Sequence, residues 1–283
     1  MGKSVYEMVT ERIITELEKG NIPWDKPWTG TQSGAYNRIT NKPYSLLNQM
    51  LLRNSGEYAS FKQWSNLGGK IKKGAKSEFV VFWKITEIEE KKADGTIEKK
   101  LIPLLRYYNV FHISQVDGVE PKERKTHDIK PVENADKILN DYLTREHIKV
   151  EQTASNEAYY SPSRDLIHLP LTEQFKSVDG YYETFIHESI HSTGHSSRLN
   201  RLHTGINASF KSETYSLEEL VAEVGSAFLM NMLGIETDKS FRNASSYIQG
   251  WLEVLRNDNR FIVSASSKAE KAVEYILNGK SIA

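Results

Sequence analysis

Residues 182–201 read "YETFIHESIHSTGHSSRLNR", and the reading of "HESIH" at 187–191 decides what the second half of the chain is. Tyr182, Phe185, Ile186 and Ile190 recur at helical spacing, which predicts a helix over 180–193. Ser177 or Asp179 would cap its start and Gly194 would end it. On such a helix His187 and His191 lie one turn apart and point the same way, so both imidazoles are able to share one ion. Glu188, about 100° around from His187, reaches a water on that ion without being a ligand. Metal-assisted hydrolysis needs this set: the ion brings the pKa of its water to about 7, and a carboxylate takes the proton and delivers it to the leaving group. The plain alternative is an ordinary helix carrying two polar histidines. With only eight histidines in the chain, the full H-E-x-x-H pattern on a capped amphipathic helix favours the metal site.

A catalytic zinc of this type needs a third protein ligand and an open position. The extended pattern H-E-x-x-H-x-x-G-x-x-H fails, because Gly194 fits but Ser197 stands where the third histidine would be. His195 follows the glycine directly; a place near the site, touching substrate or supporting a ligand, and a plain surface position both remain open. A carboxylate from a second helix is the other source. In "YSLEELVAEVGSAFLMNML" (215–233), Leu217, Leu220, Val221, Val224 and Phe228 form an apolar stripe, with Glu219 and Glu223 one turn apart. The expected arrangement is gluzincin-like: Glu219 ligates and Glu223 orients a ligating histidine. Ser216 and Glu219 also match a capping box, which would occupy Glu219 and leave Glu223 as the ligand.

The remainder bounds the protein class. The 283 residues are 39% hydrophobic and 26% charged, the mark of a globular chain, and no apolar run nears the ~20 residues of a membrane span. The start, "MGKSVYEMVTERIITELEKG", has no apolar run of the kind a secretory signal requires. The absence of cysteine fits a cytoplasmic setting and leaves His, Asp and Glu as metal ligands. Two histidines and a carboxylate suit zinc; manganese or another divalent ion takes the same donors.

The net charge of zero conceals an asymmetry. Residues 1–130 carry 22 basic and 16 acidic side chains, and the remainder 15 and 21. Four of the five tryptophans, Trp24, Trp28, Trp64 and Trp83, lie in the basic half. The polar stretch "DGVEPKERKTHDIKP" (117–131) reads as a linker, so the expected domains are 1–125 and 126–283. The first half reads as α+β. It has an opening helix (Val5, Met8, Val9, Ile13, Ile14, Leu17, closed by Gly20) and a second helix over about 45–54. Strands "SEFVVFWKITEIEE" and "IPLLRYYNVFHISQV" are joined by a hairpin at Asp94-Gly95.

Two readings of this half remain open. In one, it binds single-stranded nucleic acid, with the rings of Trp24, Trp28 and Trp64 stacking on bases. Arg38, Lys62, Lys70, Lys72, Lys73 and Lys76, several of them around the Gly-rich turn in "FKQWSNLGGKIKKGAKSEFVVFW", would follow phosphates. In the other, Trp64, Phe79, Phe82 and Trp83 are core and the lysines a solvated turn. In the second half "YYSPSRDLIHLP" reads as a short strand with Pro162 before it and Pro170 closing it, either an exposed edge beside the metal on which an extended substrate could add or a plain structural edge. The stretches "SSYIQGWLEVLRND" and "SSKAEKAVEYILNG" read as closing helices with Trp251 in the core.

Together with "PWDKPW", "AYNRITNKPYSLLN", "YYNVFHISQ" and "YSLEELVAEVGSAFL", these stretches resemble the ArdC-type antirestriction proteins of mobile genetic elements, in order and over nearly the whole chain. The resemblance implies an α+β protein of two domains: an N-terminal single-stranded DNA-binding domain and a mainly helical zincin-like metallopeptidase domain with a small sheet. It implies action in the recipient cytoplasm, shielding incoming DNA from restriction. It implies His187 and His191 as metal ligands, Glu188 as general base and a third ligand from the Glu219/Glu223 helix. Single-stranded DNA, duplex DNA and an unidentified protein substrate are the expected partners, without a membrane. A non-catalytic module that coats DNA, with a structural or vestigial metal site, is the competing expectation.

Overall fold

The computed structural model describes residues 2–24, 34–91, 97–122, 131–202, 213–235 and 245–278. Trp28, the Asp94-Gly95 hairpin tip and much of the expected linker (123–130) lie outside the described residues. Helix α1 (Val5–Glu18) begins at a capping box, in which the Ser4 hydroxyl accepts from the Glu7 backbone N–H and the Glu7 carboxylate accepts from that of Ser4. Its buried face is the apolar stripe read from sequence: Val9, Ile13 and Leu17. Strand β1 (Ala35–Asn37), α2 (Leu46–Leu51), β2 (Gly56–Ala59), α3 (Phe61–Asn66) and β3 (Lys70–Ile71) follow. Two long strands, β4 (Glu78–Lys91) and β5 (Ile97–His112), pair antiparallel from Glu78↔Val110 to Lys91↔Ile97. The sheet order is β1-β2-β5-β4, but β2 reaches β5 only at Tyr58↔His112 and Ala59↔Phe111. Most of β4–β5 is therefore a two-stranded ribbon. Strand β6 (Val116–Asp117) closes the half against β3.

The second half is mainly helical: α4 (Pro131–Glu146), α5 (Val178–Ser192), α6 (Glu213–Leu233), α7 (Ser245–Asn257) and α8 (Phe261–Asn278). The strand expected between Pro162 and Pro170 is β9 (Leu166–Pro170), and a strand not expected, β8 (Tyr159–Ser161), precedes it in a hairpin whose turn carries Asp165 at φ 46°. Together with β7 (Lys149–Thr153) they form a sheet of order β7-β9-β8, so β9 is central and buried rather than an exposed edge. Helix α5 lies on β8 and β9, with Ile186 and Ile190 fully buried.

The principal core crosses the middle of the chain. Val9, Ile13 and Leu17 of α1 belong to the same buried cluster as Leu252 and Leu255 of α7 and Ile262 of α8. Polar ties follow the same seam: the Thr10 hydroxyl donates to the Asn259 carbonyl at 2.8 Å, and the Leu46 N–H at the start of α2 donates to Glu270 of α8 at 3.1 Å. Among the described residues no helix is long and apolar enough to cross a membrane.

Candidate metal centre

Ser177 caps α5, its hydroxyl accepting from the Gly180 N–H at 3.0 Å, and the helix ends at Ser192. His187 and His191 consequently face the same way, with their Nε2 atoms 3.1 Å apart. Helix α6 supplies the third donor. Gly225 sits where α6 crosses α5, and a Cβ there would stand 3.1 Å from the Ile190 side chain. The missing side chain lets the helices approach, and Glu219 reaches the histidines: Oε2 lies 3.7 Å from His187 Nε2 and Oε1 3.5 Å from His191 Nε2.

Among the described residues, His187, His191 and Glu219 form the group of potential metal ligands whose donor atoms all lie within 4.8 Å of one another. The dimensions suit one tetrahedral ion: two nitrogens about 2.0–2.1 Å from a shared zinc sit about 3.3 Å apart, and a nitrogen and a carboxylate oxygen about 3.4 Å. Glu223 stands one turn further along α6, where its Oε2 accepts from the Tyr247 hydroxyl at 3.2 Å. The His195 ring bonds the Ser197 hydroxyl at 2.8 Å and is not part of the cluster. Glu188 is buried on α5 beside His187.

The residue that sequence reasoning missed is Glu218. Its Oε1 lies 3.5 Å from His191 Nδ1, the ring nitrogen turned away from the cluster, the position from which a carboxylate orients a metal-ligating histidine. Arg201 grips the same carboxylate with a fork, NH2 to Oε1 at 2.7 Å and Nε to Oε2 at 3.1 Å, and also donates to the Thr193 hydroxyl and the Ile190 carbonyl. The loop after α5 folds back to deliver it: the N–H groups of Arg201 and Leu202 both donate to the Gly194 carbonyl at 2.8 Å. A Cβ on Gly194 would stand 2.9 Å from Leu202 Cγ and 3.1 Å from the His191 carbonyl, so this glycine serves close approach. Adjacency to Glu219 and the arginine in the opening stretch were the available signals.

Electrostatics agree with a cation site. Burial works against a charged His191, yet its bond to Glu218 and the charges of Glu188, Glu218 and Glu219 push it up to about 9. Burial would likewise raise Glu218, but His191 and Arg201 hold its carboxyl below the usual range. Carboxylates that favour a proton here also favour a divalent cation.

The residues expected to contact nucleic acid are dispersed. Trp64 is fully buried, its indole N–H donating to the Phe111 carbonyl at 2.9 Å. Trp24 is also buried, edge-on to Trp251 at 6.5 Å. Both rings fill core and are shut off from any base. Arg38 is paired with the Glu57 carboxylate in a partly buried bridge. Lys62, Lys70, Lys73 and Lys76 are exposed, whereas Lys72 is tied to the Ser114 carbonyl at 2.8 Å.

Comparison with known proteins gives the same organisation. Residues 3–111 match the family described as the N-terminal domain of anti-restriction factor ArdC, and residues 134–268 match the zincin-like metallopeptidase family. The antirestriction protein ArdC of plasmid R388, solved metal-free and Mn(II)-bound, is 31% identical, with TM-scores of 0.76 and 0.75 over 98% of both chains. The Sinorhizobium fredii protein y4eC is 30% identical over 96% of this chain and 91% of its own length. The DNA primase TraC of Escherichia coli is 33% identical over 97% of this chain, which spans only 27% of that protein's length.

Proposed function

This chain belongs to the ArdC antirestriction family, and from that premise we propose that it binds single-stranded DNA and carries a working zinc peptidase, the two together protecting incoming DNA from restriction. The observation that supports the enzyme most is the convergence of His187, His191 and Glu219 from two helices, with Glu188 buried next to them. These three would hold a divalent ion, zinc by the chemistry of the donors and manganese by the example of the R388 protein. When bound, such an ion polarises a peptide carbonyl and acidifies a water. Glu188, buried beside His187, is placed to serve as the general base, which would take a proton from the attacking water and give it to the leaving amine. Glu218, held by Arg201, orients the His191 ring through Nδ1. The edge of the small sheet at β8, against which α5 packs, offers main-chain groups to an extended peptide.

A general base is superfluous in a site that only holds structure, so Glu188 is the residue to test. Glu188→Ala is expected to retain metal and oligonucleotide binding and to lose protection of transferred DNA in a restricting recipient. Unchanged protection by that variant would reject the peptidase as its source and leave coating of the DNA as the mode of action.

A further inference from the structure

We infer that the outward face of the β4–β5 ribbon, with Phe82 and Tyr108 as stacking rings and Lys84, Lys100 and Arg106 as phosphate contacts, is the surface that takes single-stranded DNA. This rests on the DNA-binding reading above and assigns it a place that neither the tryptophans nor the glycine-lysine turn supplies. The register fixes which residues share the face: Val80↔Tyr108, Phe82↔Arg106, Lys84↔Leu104 and Ile88↔Lys100 are directly opposed. Val80 and Val110 at one end are buried under Ala35, Leu52 and Tyr58, with Tyr44 packed alongside. Beyond them the cover stops. Phe82 is 42% exposed and Tyr108 36%, their rings in edge contact at 5.7 Å. An aromatic pair left half in water on an ordered ribbon is a platform on which bases of any sequence stack.

Charge selects this face over its reverse. Among the described side chains of the outward face stand Lys84, Lys100 and Arg106; the carboxylate there, Glu78 opposite Val110, lies at the covered end and is taken up by the Arg53 N–H and the Tyr58 hydroxyl. The three are exposed, and no ion pair occupies them among the described residues. On the reverse face Val81 and Leu105 join the principal core; Trp83 and Tyr107 are 49% and 46% exposed there, in edge contact with Tyr6 and Phe79, but the cation beside them among the described residues, Lys99, is neutralised by Glu87 at 2.7 Å. A polyanion with unpaired rings is complementary to the first face. Duplex DNA would satisfy the cations but would offer no free base to Phe82 and Tyr108.

The test is binding of fluorescently labelled oligo-dT and of a duplex of equal length, followed by anisotropy over a salt series. It compares wild type, Phe82→Ala/Tyr108→Ala, Lys84→Ala/Arg106→Ala and, as a control, Lys70→Ala/Lys73→Ala/Lys76→Ala. Loss of stacking predicts at least about a fivefold drop per ring on oligo-dT, with the duplex affected less. Loss of the two cations predicts a salt slope shallower by about 0.7 per contact. The charge variant changes exposed side chains alone, so it reports even where the ring variant melts early. Oligo-dT binding within twofold of wild type for both ribbon variants, with loss in the turn variant, would overturn the assignment and leave the DNA reading standing. A folded wild type that does not bind oligo-dT would end both.

Discussion

Replacing Arg201 by Met examines the support behind the metal centre. The Arg201 and Glu218 side chains are 8% and 12% exposed, and their forked pair is, with the bond to His191, what counters burial of the Glu218 carboxylate. Removing one partner of such a pair costs about 3–5 kcal/mol, because the surviving charge stays buried. The Thr193 hydroxyl and Ile190 carbonyl lose a donor as well, so the upper part of that range is expected. For a chain of this size each kcal/mol lowers Tm by about 2 °C, which predicts a fall of about 8–10 °C in metal-free protein, read by circular dichroism with chelator present. The double variant Arg201→Met/Glu218→Leu removes both charges and should regain most of the stability. It should nonetheless bind Zn(II) or Mn(II) about 10–100-fold more weakly by competition titration, since His191 Nδ1 has lost its carboxylate. A single variant that melts within about 2 °C of wild type, or a double variant with unaltered metal affinity, would refute this account of the loop and of Glu218.

Three further outcomes follow from the packing. Gly194→Ala should destabilise by about 1–3 kcal/mol in chemical denaturation, because the new methyl must displace Leu202 and the returning loop; stability at or above wild type would contradict the close approach. Trp64→Ala should cost about 3–5 kcal/mol and weaken DNA binding only where it unfolds the protein, so weaker binding by fully folded Trp64→Ala would restore that ring to the interface. At Asp165 burial favours the neutral acid, but bonds from Arg198 and Tyr160 and the Arg198 charge outweigh it and hold the carboxyl below the usual range. Its folded pKa is thus below its unfolded one, so its contribution is full above about pH 5 and is lost as pH falls through the folded value. The Tm difference between wild type and Asp165→Asn should shrink on acidification from pH 6 to pH 3; a gap that widens would reverse the sign.

The helical half of the metal centre could be read from sequence because its information is local. Helical periodicity places His187 above His191, and a serine cap sets the start of the helix, whatever the rest of the chain does. The third donor was legible as one of two acidic residues at helical spacing. Choosing Glu219 depends on how far α6 slides along α5, and that is set by the contact of Gly225 with Ile190, which periodicity does not encode. Glu218 was marked in sequence only by its place beside Glu219 and by the arginine of the opening stretch, for a related reason. Its role comes from Arg201, 17 residues earlier, and the approach of that arginine is controlled by the fold-back at Gly194.

The tryptophans expose a sharper limit. A tryptophan beside lysines reads identically in sequence whether its ring faces water or fills a core, since both faces of a ribbon or a short helix draw on the same residues. Trp64 lies on a six-residue helix, too short for periodicity to assign an inner face, and it is buried because β5 passes over it and offers the Phe111 carbonyl. The same limit governs the division of the chain. The composition break near residue 125 marks where charge changes sign, but α1 completes its burial against α7 and α8, about 240 residues further on. Burial is therefore shared between the two halves even where their chemistry is separate. On the proposed function, bases on the ribbon and a peptide at the metal centre would be held by elements packed into one apolar core, which gives the basic half a physical reason to accompany the zincin-like half.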